Sequence, residues 1–300
     1  MRRVYMVGKK RFDGIITPLV TPYANGRINA KDLGTLLEFV RKIGVNGVFP
    51  AGSTGCFPFL TANEHIELIK TVADSMDNKI ALFPGVGRNS ITETFEVARA
   101  ASRLDPYAIV LVTPYYIHLN DSSLFAYFDK VASAVEGDII LYNIPQFTGE
   151  AISVPVARRL AEKHKNIIGI KDSSGDFRSF VNFLGEMPDN FMVFQGQDDL
   201  LLPSLMLGAA GGVCGTTNFT RLAVDVFNAH KKGDTKHARA LQERLTKVMN
   251  AVNSVQFPEG YHLMFYKQAL GRFSTNAVPP IVGLSATEAK ELYERVKRLL

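Results

Sequence analysis

Residues 139–172, IILYNIPQFTGEAISVPVARRLAEKHKNIIGIKD, contain one complete repeat of the fold. An apolar, β-branched run at 139–142 stops at a loop bearing Pro145 and Gly149. An amphipathic stretch follows at 154–164, and a second apolar run at 167–170. Strand, helix, strand in that order, with strands apolar on both faces, predicts a parallel sheet covered by helices. The same alternation extends in both directions. Strands are expected at 14–19, 47–50, 80–85, 108–112, 139–142, 167–170, 192–194 and 212–215, with helical stretches at 31–43, 62–76, 91–103, 124–135, 154–164 and 200–207 between them. Thr61 with Glu64 predicts a capping box, and Ser90 or Thr92 can start the next helix.

Eight βα units predict an α/β chain built as a TIM (β/α)8 barrel. The doubly wound alternative lacks a GxGxxG after the first strand. Beyond Asn218 the strand signal stops, and 224–232, 237–255 and 286–300 read as helices. The expected organisation is a basic arm at 1–12, a barrel domain at 13–222, and a C-terminal helical extension at 223–300 packed on the barrel.

The composition excludes several function classes. With 300 residues, 46% of them hydrophobic, the chain can bury a large core without disulfide or metal staples. The net charge of +5 suggests nucleic acid until its location is examined. Arg2, Arg3, Lys9, Lys10 and Arg11 precede the first acid, Asp13, and without them 29 basic side chains face 29 acidic ones. No nucleic-acid partner is therefore expected. No apolar run approaches the roughly 20 residues of a membrane span, so no membrane partner is expected either. Cys56 and Cys214 form no CxxC, and the six histidines have no metal-ligand spacing, so no metal is expected and a reducing cytoplasm suits the chain.

In a barrel of this kind chemistry gathers where strands end and βα loops begin. Lys171 closes the run IIGIK there. Partial loss of hydration favours its neutral amine, which can condense with a ketone and use the resulting iminium as an electron sink. The alternative is a strand-end lysine paired with Asp172. Tyr142 occupies the same place one unit earlier. A phenol can shuttle a substrate hydroxyl's proton, provided other hydroxyls, such as those of Thr54 and Tyr116, couple to it. The turn Gly52-Ser53-Thr54-Gly55 offers hydroxyls and backbone N–H groups suited to a carboxylate, though the same letters also make an ordinary turn.

Taken together, AGSTG, VTPYY, YNIP, IIGIKDSSG and FQGQDD, in this order and spacing, resemble the dihydrodipicolinate synthase / N-acetylneuraminate lyase superfamily of class I aldolases. The resemblance covers the chain from about Gly14 to Asn218. It implies a TIM barrel, usually a homotetramer, with no metal or organic cofactor. It further implies that Lys171 forms the Schiff base and Tyr142 transfers protons. Ser53 and Thr54 would hold the pyruvyl carboxylate, and Tyr116 would enter the neighbouring subunit's site.

Departures from the pattern choose among members. The lysine-pathway synthase carries an arginine for its second substrate's carboxylate where this chain has Phe147, and Phe57 and Phe59 are expected to make the entrance apolar. Ser173, Gly196, Asp198, Asp199 and Thr216 align with positions that bind the hydroxylated tail in the sugar-acid lyases, and Cys56 and Cys214 either line the pocket or serve as small buried hydrophobes. The wording looks closest to the archaeal 2-keto-3-deoxygluconate aldolases, which implies reversible cleavage of that keto acid to pyruvate and glyceraldehyde. The synthase, N-acetylneuraminate lyase and a keto-acid dehydratase are the alternatives within the enzyme class. A phosphate-binding barrel and a non-catalytic keto-acid-binding relative are the alternatives outside it.

Overall fold

The computed structural model describes residues 11–76, 79–274 and 278–300, so the basic arm lies outside it except for Arg11 and Phe12. Eight parallel strands form one sheet: β1 (Gly14–Pro18), β2 (Gly47–Phe49), β3 (Ala81–Leu82), β4 (Ile109–Val112), β5 (Ile139–Asn143), β6 (Ile167–Asp172), β7 (Met192–Gln195) and β8 (Gly211–Val213). Their order is β3-β2-β1-β8-β7-β6-β5-β4. A parallel bridge between Gly85 and Val110 joins the two ends, and Val110 N donates to the Pro84 carbonyl at 2.8 Å. The result is the expected TIM barrel. The strand expected at 80–85 shortens to β3 because Pro84 has no N–H to give β4, so the ladder is interrupted there.

Among the described residues twelve α-helices surround the sheet and follow it: α1 (Ala30–Ile43), α2 (Ala62–Asp74), α3 (Ile91–Ser102), α4 (Asp121–Ala134), the one-turn α5 (Pro145–Thr148), α6 (Val154–Lys163), α7 (Phe177–Glu186), α8 (Leu201–Met206), α9 (Leu222–Lys231), α10 (Thr235–Val252), α11 (Glu259–Leu270) and α12 (Ala286–Lys297). The capping box forms as expected: Glu64 N donates to Thr61 Oγ1, and Thr61 N donates to the Glu64 carboxylate at 2.9 Å. Ser90, rather than Thr92, caps α3. No helix among the described residues is long and apolar enough to cross a membrane.

The lower end of the barrel is plugged by aromatic rings. Phe12, just before β1, packs edge-on to Phe83 at 4.9 Å and against Tyr107 and Phe194, and its N–H donates to the Tyr107 hydroxyl. At the upper end the loops after β1 and β8 are tied together: Asn218 accepts from Val20 N and donates to the Pro18 carbonyl, and Thr217 donates to Thr17 Oγ1. With both ends tied, the strand termini that carry the site are held rigidly.

The tail helices fold back onto this frame. Helix α9 packs on α8 and β1, α10 on α9 and the turn after β7, and α11 on α1 and the turn after β8. Arg272, just past α11, pairs with Asp32 of α1. Helix α11 is absent from the sequence expectations because Glu259–Tyr266 are all buried, which erases the polar face that marks an amphipathic period.

Glu259, at the first turn of α11, is 1% exposed, and neither carboxylate oxygen has a hydrogen-bond partner among the described residues. Burial raises its pKa from 4.5 to about 7. The folded chain therefore holds this proton more tightly than the unfolded chain does, and stability falls as pH rises from 4.5 through about 7. Glu259→Gln is expected to be more stable than the parent at pH 8, by on the order of 2 kcal/mol, and to match it at pH 4. Urea unfolding at the two pH values checks this.

Candidate active site

The register between β5 and β6 sets the site. Ile139 pairs with Ile167, but Ile140 pairs with Gly169, so Ile168 is an extra residue in β6. Without that bulge Lys171 would stand opposite Asn143. With it, Lys171 is the direct partner of Tyr142, and Asp172 of Asn143. Alternation along the strands then sends the two pairs to opposite faces. Asn143 donates to Asp172 at 2.7 Å, and Ser174 donates to the same carboxylate through its N–H and its hydroxyl. Burial raises the Asp172 pKa. The pairing of Lys171 with Asp172, left open by the sequence, does not occur.

Lys171 is instead 4% exposed and lies over aromatic faces, its Nζ 3.8 Å from the Tyr142 ring centre and 4.8 Å from that of Phe49. It makes no ion pair among the described residues. The amine is thus not committed to a carboxylate and stands in the cavity wall where a carbonyl carbon can reach it.

The turn after β2 faces it. Ala51 and Cys56 both adopt left-handed backbone (φ 57°) and flank the turn, which is closed by Gly55 N donating to the Gly52 carbonyl and Cys56 N to the Ser53 carbonyl. The N–H groups of Ser53 and Thr54 donate to no group among the described residues. Together with the two side-chain hydroxyls they make a concave set of donors matched to a carboxylate. The hydroxyl that reaches the Tyr142 phenol is that of Ser53, at 3.3 Å.

These groups open into a cavity of about 350 Å³, a size typical of small-molecule sites. Of the residues singled out in the sequence, it is lined by Ser53, Thr54, Tyr142, Phe147, Lys171, Ser173, Gly196 and Asp198. Gly196 is required by close packing, since a Cβ there would lie 1.9 Å from Ser173 Oγ.

Other expectations are corrected. Asp198 lines the cavity, and its carboxylate already accepts from Gly215 N, Thr216 N and the Thr216 hydroxyl. The Asp198–Thr216 pair therefore holds the loop after β8, and Thr216 does not line the cavity. Neither does Asp199, whose carbonyl receives Gln242 of α10. Cys214 is fully buried outside the cavity wall, as is Cys56, and burial pushes the Cys56 thiol up to about 12 and that of Cys214 well above its ordinary value. Phe57 is buried against His65 and Tyr115, and Phe59 is exposed away from the cavity. Tyr116 is 89% exposed in a left-handed conformation (φ 82°) and does not reach Tyr142 within its own chain.

The apolar part of the entrance comes from Phe147, whose ring meets Phe257 at 5.2 Å, and from Met249 and Val255. Asn253 and Tyr261 complete that wall, so the C-terminal region supplies one side of the site. Gln146 and Gln197 complete the other. Apart from Phe147, sequence reasoning passed over all of these. The two glutamines stand inside motifs already quoted, whereas nothing local marks the C-terminal residues as returning over the barrel mouth.

A barrel that places a buried lysine, without an ion pair among the described residues, against a phenol and a hydroxylated turn, at the C-terminal ends of its strands, has the layout of a carbon–carbon lyase. The comparisons with known proteins agree. The family model described as the dihydrodipicolinate synthetase family matches residues 11–299. The 2-dehydro-3-deoxy-D-gluconate/2-dehydro-3-deoxy-phosphogluconate aldolase of Picrophilus torridus is 37% identical over 254 residues, covering 85% of this chain and 93% of that protein. The solved 2-keto 3-deoxygluconate aldolase from Picrophilus torridus superposes with a TM-score of 0.86 at 36% identity, over 91% of this chain and 98% of its own. The 4-hydroxy-tetrahydrodipicolinate synthase of Methanopyrus kandleri is 34% identical over 97% of this chain and 94% of that protein. The chain belongs to the dihydrodipicolinate synthetase family, and it is a pyruvate-dependent lyase of the aldolase type.

Proposed function

We propose that this enzyme reversibly cleaves 2-keto-3-deoxygluconate to pyruvate and glyceraldehyde through a Schiff base on Lys171. The observation that carries the reading is the register pair Tyr142–Lys171, with the amine buried and free of any carboxylate. The neutral amine adds to C2 of the keto acid, and the adduct loses water to give an iminium. The C1 carboxylate sits on the Ser53 and Thr54 N–H groups and hydroxyls. Tyr142 as phenolate removes the C4 hydroxyl proton, the C3–C4 bond breaks, and its electron pair moves into the iminium. Glyceraldehyde leaves with C4 as its aldehyde carbon. The enamine takes the proton back from Tyr142 at C3, and water releases pyruvate and the amine.

The acceptor assignment rests on the cavity wall. Phe147 stands where a carboxylate-binding arginine would be needed for the synthase reaction, and a phenyl ring cannot form that pair. The similarity to the Picrophilus torridus aldolase supports the same choice. The active form is a homotetramer in which Tyr116, exposed on its own subunit, joins the hydroxyl relay of a neighbour. Two buried free thiols fit a reducing cytoplasm.

A panel of aldehydes condensed with pyruvate tests the assignment. Glyceraldehyde is expected to exceed N-acetylmannosamine and aspartate semialdehyde in kcat/KM by about 100-fold or more. Preference for aspartate semialdehyde would make the enzyme a synthase instead.

A further inference from the structure

We propose that Gln146 and Gln197 form a fixed amide pair that selects an acceptor half bearing hydroxyls and no charge, an inference that rests on the aldolase reading. Gln146 is the second residue of the one-turn α5 after β5, and Gln197 caps the turn after β7, so the two come from different loops. Both donate through Nε2 to one atom, the carbonyl oxygen of Ser173, each at 2.8 Å. That oxygen has two lone pairs, and the two amides take both. A glutamine at a cavity mouth ordinarily samples many rotamers, and ordering it on binding costs affinity. Here the ordering is already done by the protein.

Once anchored, each amide keeps an Oε1 and a second N–H. Among the described residues neither Oε1 accepts a hydrogen bond, and both side chains line the cavity. Two acceptors and two donors side by side match neighbouring hydroxyls, each of which both donates and accepts. Gly196 belongs to the same device, because its missing Cβ leaves room for Ser173, the residue on which both amides rest.

The charges of the wall point the same way. Only Lys171 and Asp198 among the lining residues are ionisable carboxylates or amines. Lys171 is committed to the keto carbon, and Asp198, which holds three donors of the loop after β8, offers an acceptor and no positive charge. A phosphate or second carboxylate entering here would lose water without gaining a cation. A hydroxylated, uncharged tail meets no such cost.

The test uses the full chain and two acceptors, glyceraldehyde and glyceraldehyde 3-phosphate, condensed with pyruvate. The parent is expected to favour the uncharged aldehyde by about 100-fold in kcat/KM. Gln146→Ala and Gln197→Ala should each lower kcat/KM for glyceraldehyde by about 10-fold, with the KM for pyruvate and the borohydride-trapped pyruvate adduct unchanged. Gln197→Arg should move the ratio toward the phosphorylated aldehyde by about 10-fold or more. Adduct formation is measured first, on every protein, and doubles as the check that each is folded. If the adduct forms but the double alanine variant keeps its glyceraldehyde kcat/KM within about twofold, or the parent uses both aldehydes equally, the amide pair is not the selector. If the parent forms no adduct, the aldolase reading itself fails.

Discussion

Lys171→Ala is expected to lower turnover by at least about four orders of magnitude, because among the described residues no other amine lines the cavity to form an iminium. The fold should survive. The side chain makes no ion pair, so its removal leaves no orphaned carboxylate, and the Asn143–Asp172–Ser174 group on the other face of the strands is untouched. Thermal unfolding should therefore show a melting temperature equal to or above the parent's, while pyruvate–glyceraldehyde condensation falls to background. A variant that lost activity and stability together would mark Lys171 as a structural lysine.

Tyr142→Phe separates two steps that the lysine variant removes together. The ring stays, and with it the aromatic face under Lys171 and the edge contact with Phe49. Only the hydroxyl that meets Ser53 is lost. Imine formation with pyruvate is expected to persist, while cleavage and condensation slow by about 10²- to 10⁴-fold, the usual worth of a positioned acid–base group. Single-turnover trapping of the pyruvate adduct alongside steady-state cleavage distinguishes these. Equal loss in both would place Tyr142 in binding rather than in proton transfer.

The parts of the molecule legible in the sequence were those governed by local rules. Strand runs such as 109–112 and 139–143 are buried on both faces and read as continuous apolar segments. The capping box at Thr61 needs only two side chains three residues apart. By contrast, the bulge at Ile168 leaves no local mark, yet it alone puts Lys171 opposite Tyr142 rather than Asn143. Helix α7, which starts at the Asp176 cap, was not among the expected helices, and α11 was hidden because it is buried on every side.

Within the site, the rule that chemistry sits at strand ends found Ser53, Thr54, Tyr142 and Lys171, and the family resemblance added Ser173 and Gly196. It could not tell which of the polar groups on the loops after β7 and β8 satisfy one another. Asp198 and Thr216 do, and of the two only Asp198 lines the cavity. Phe57 and Phe59 were assigned to the entrance by proximity in sequence to the Ser53–Thr54 turn. The left-handed turn at Cys56 directs that segment elsewhere, and the entrance is built by Phe147 and by Phe257 from the far end of the chain.

Borohydride reduction in the presence of pyruvate, followed by peptide mass mapping, addresses the covalent chemistry without relying on the choice of aldehyde. A stable adduct with the mass of reduced pyruvate on the peptide containing Lys171, absent from Lys171→Ala, is the predicted result. No adduct, or an adduct on another lysine, would contradict the imine account.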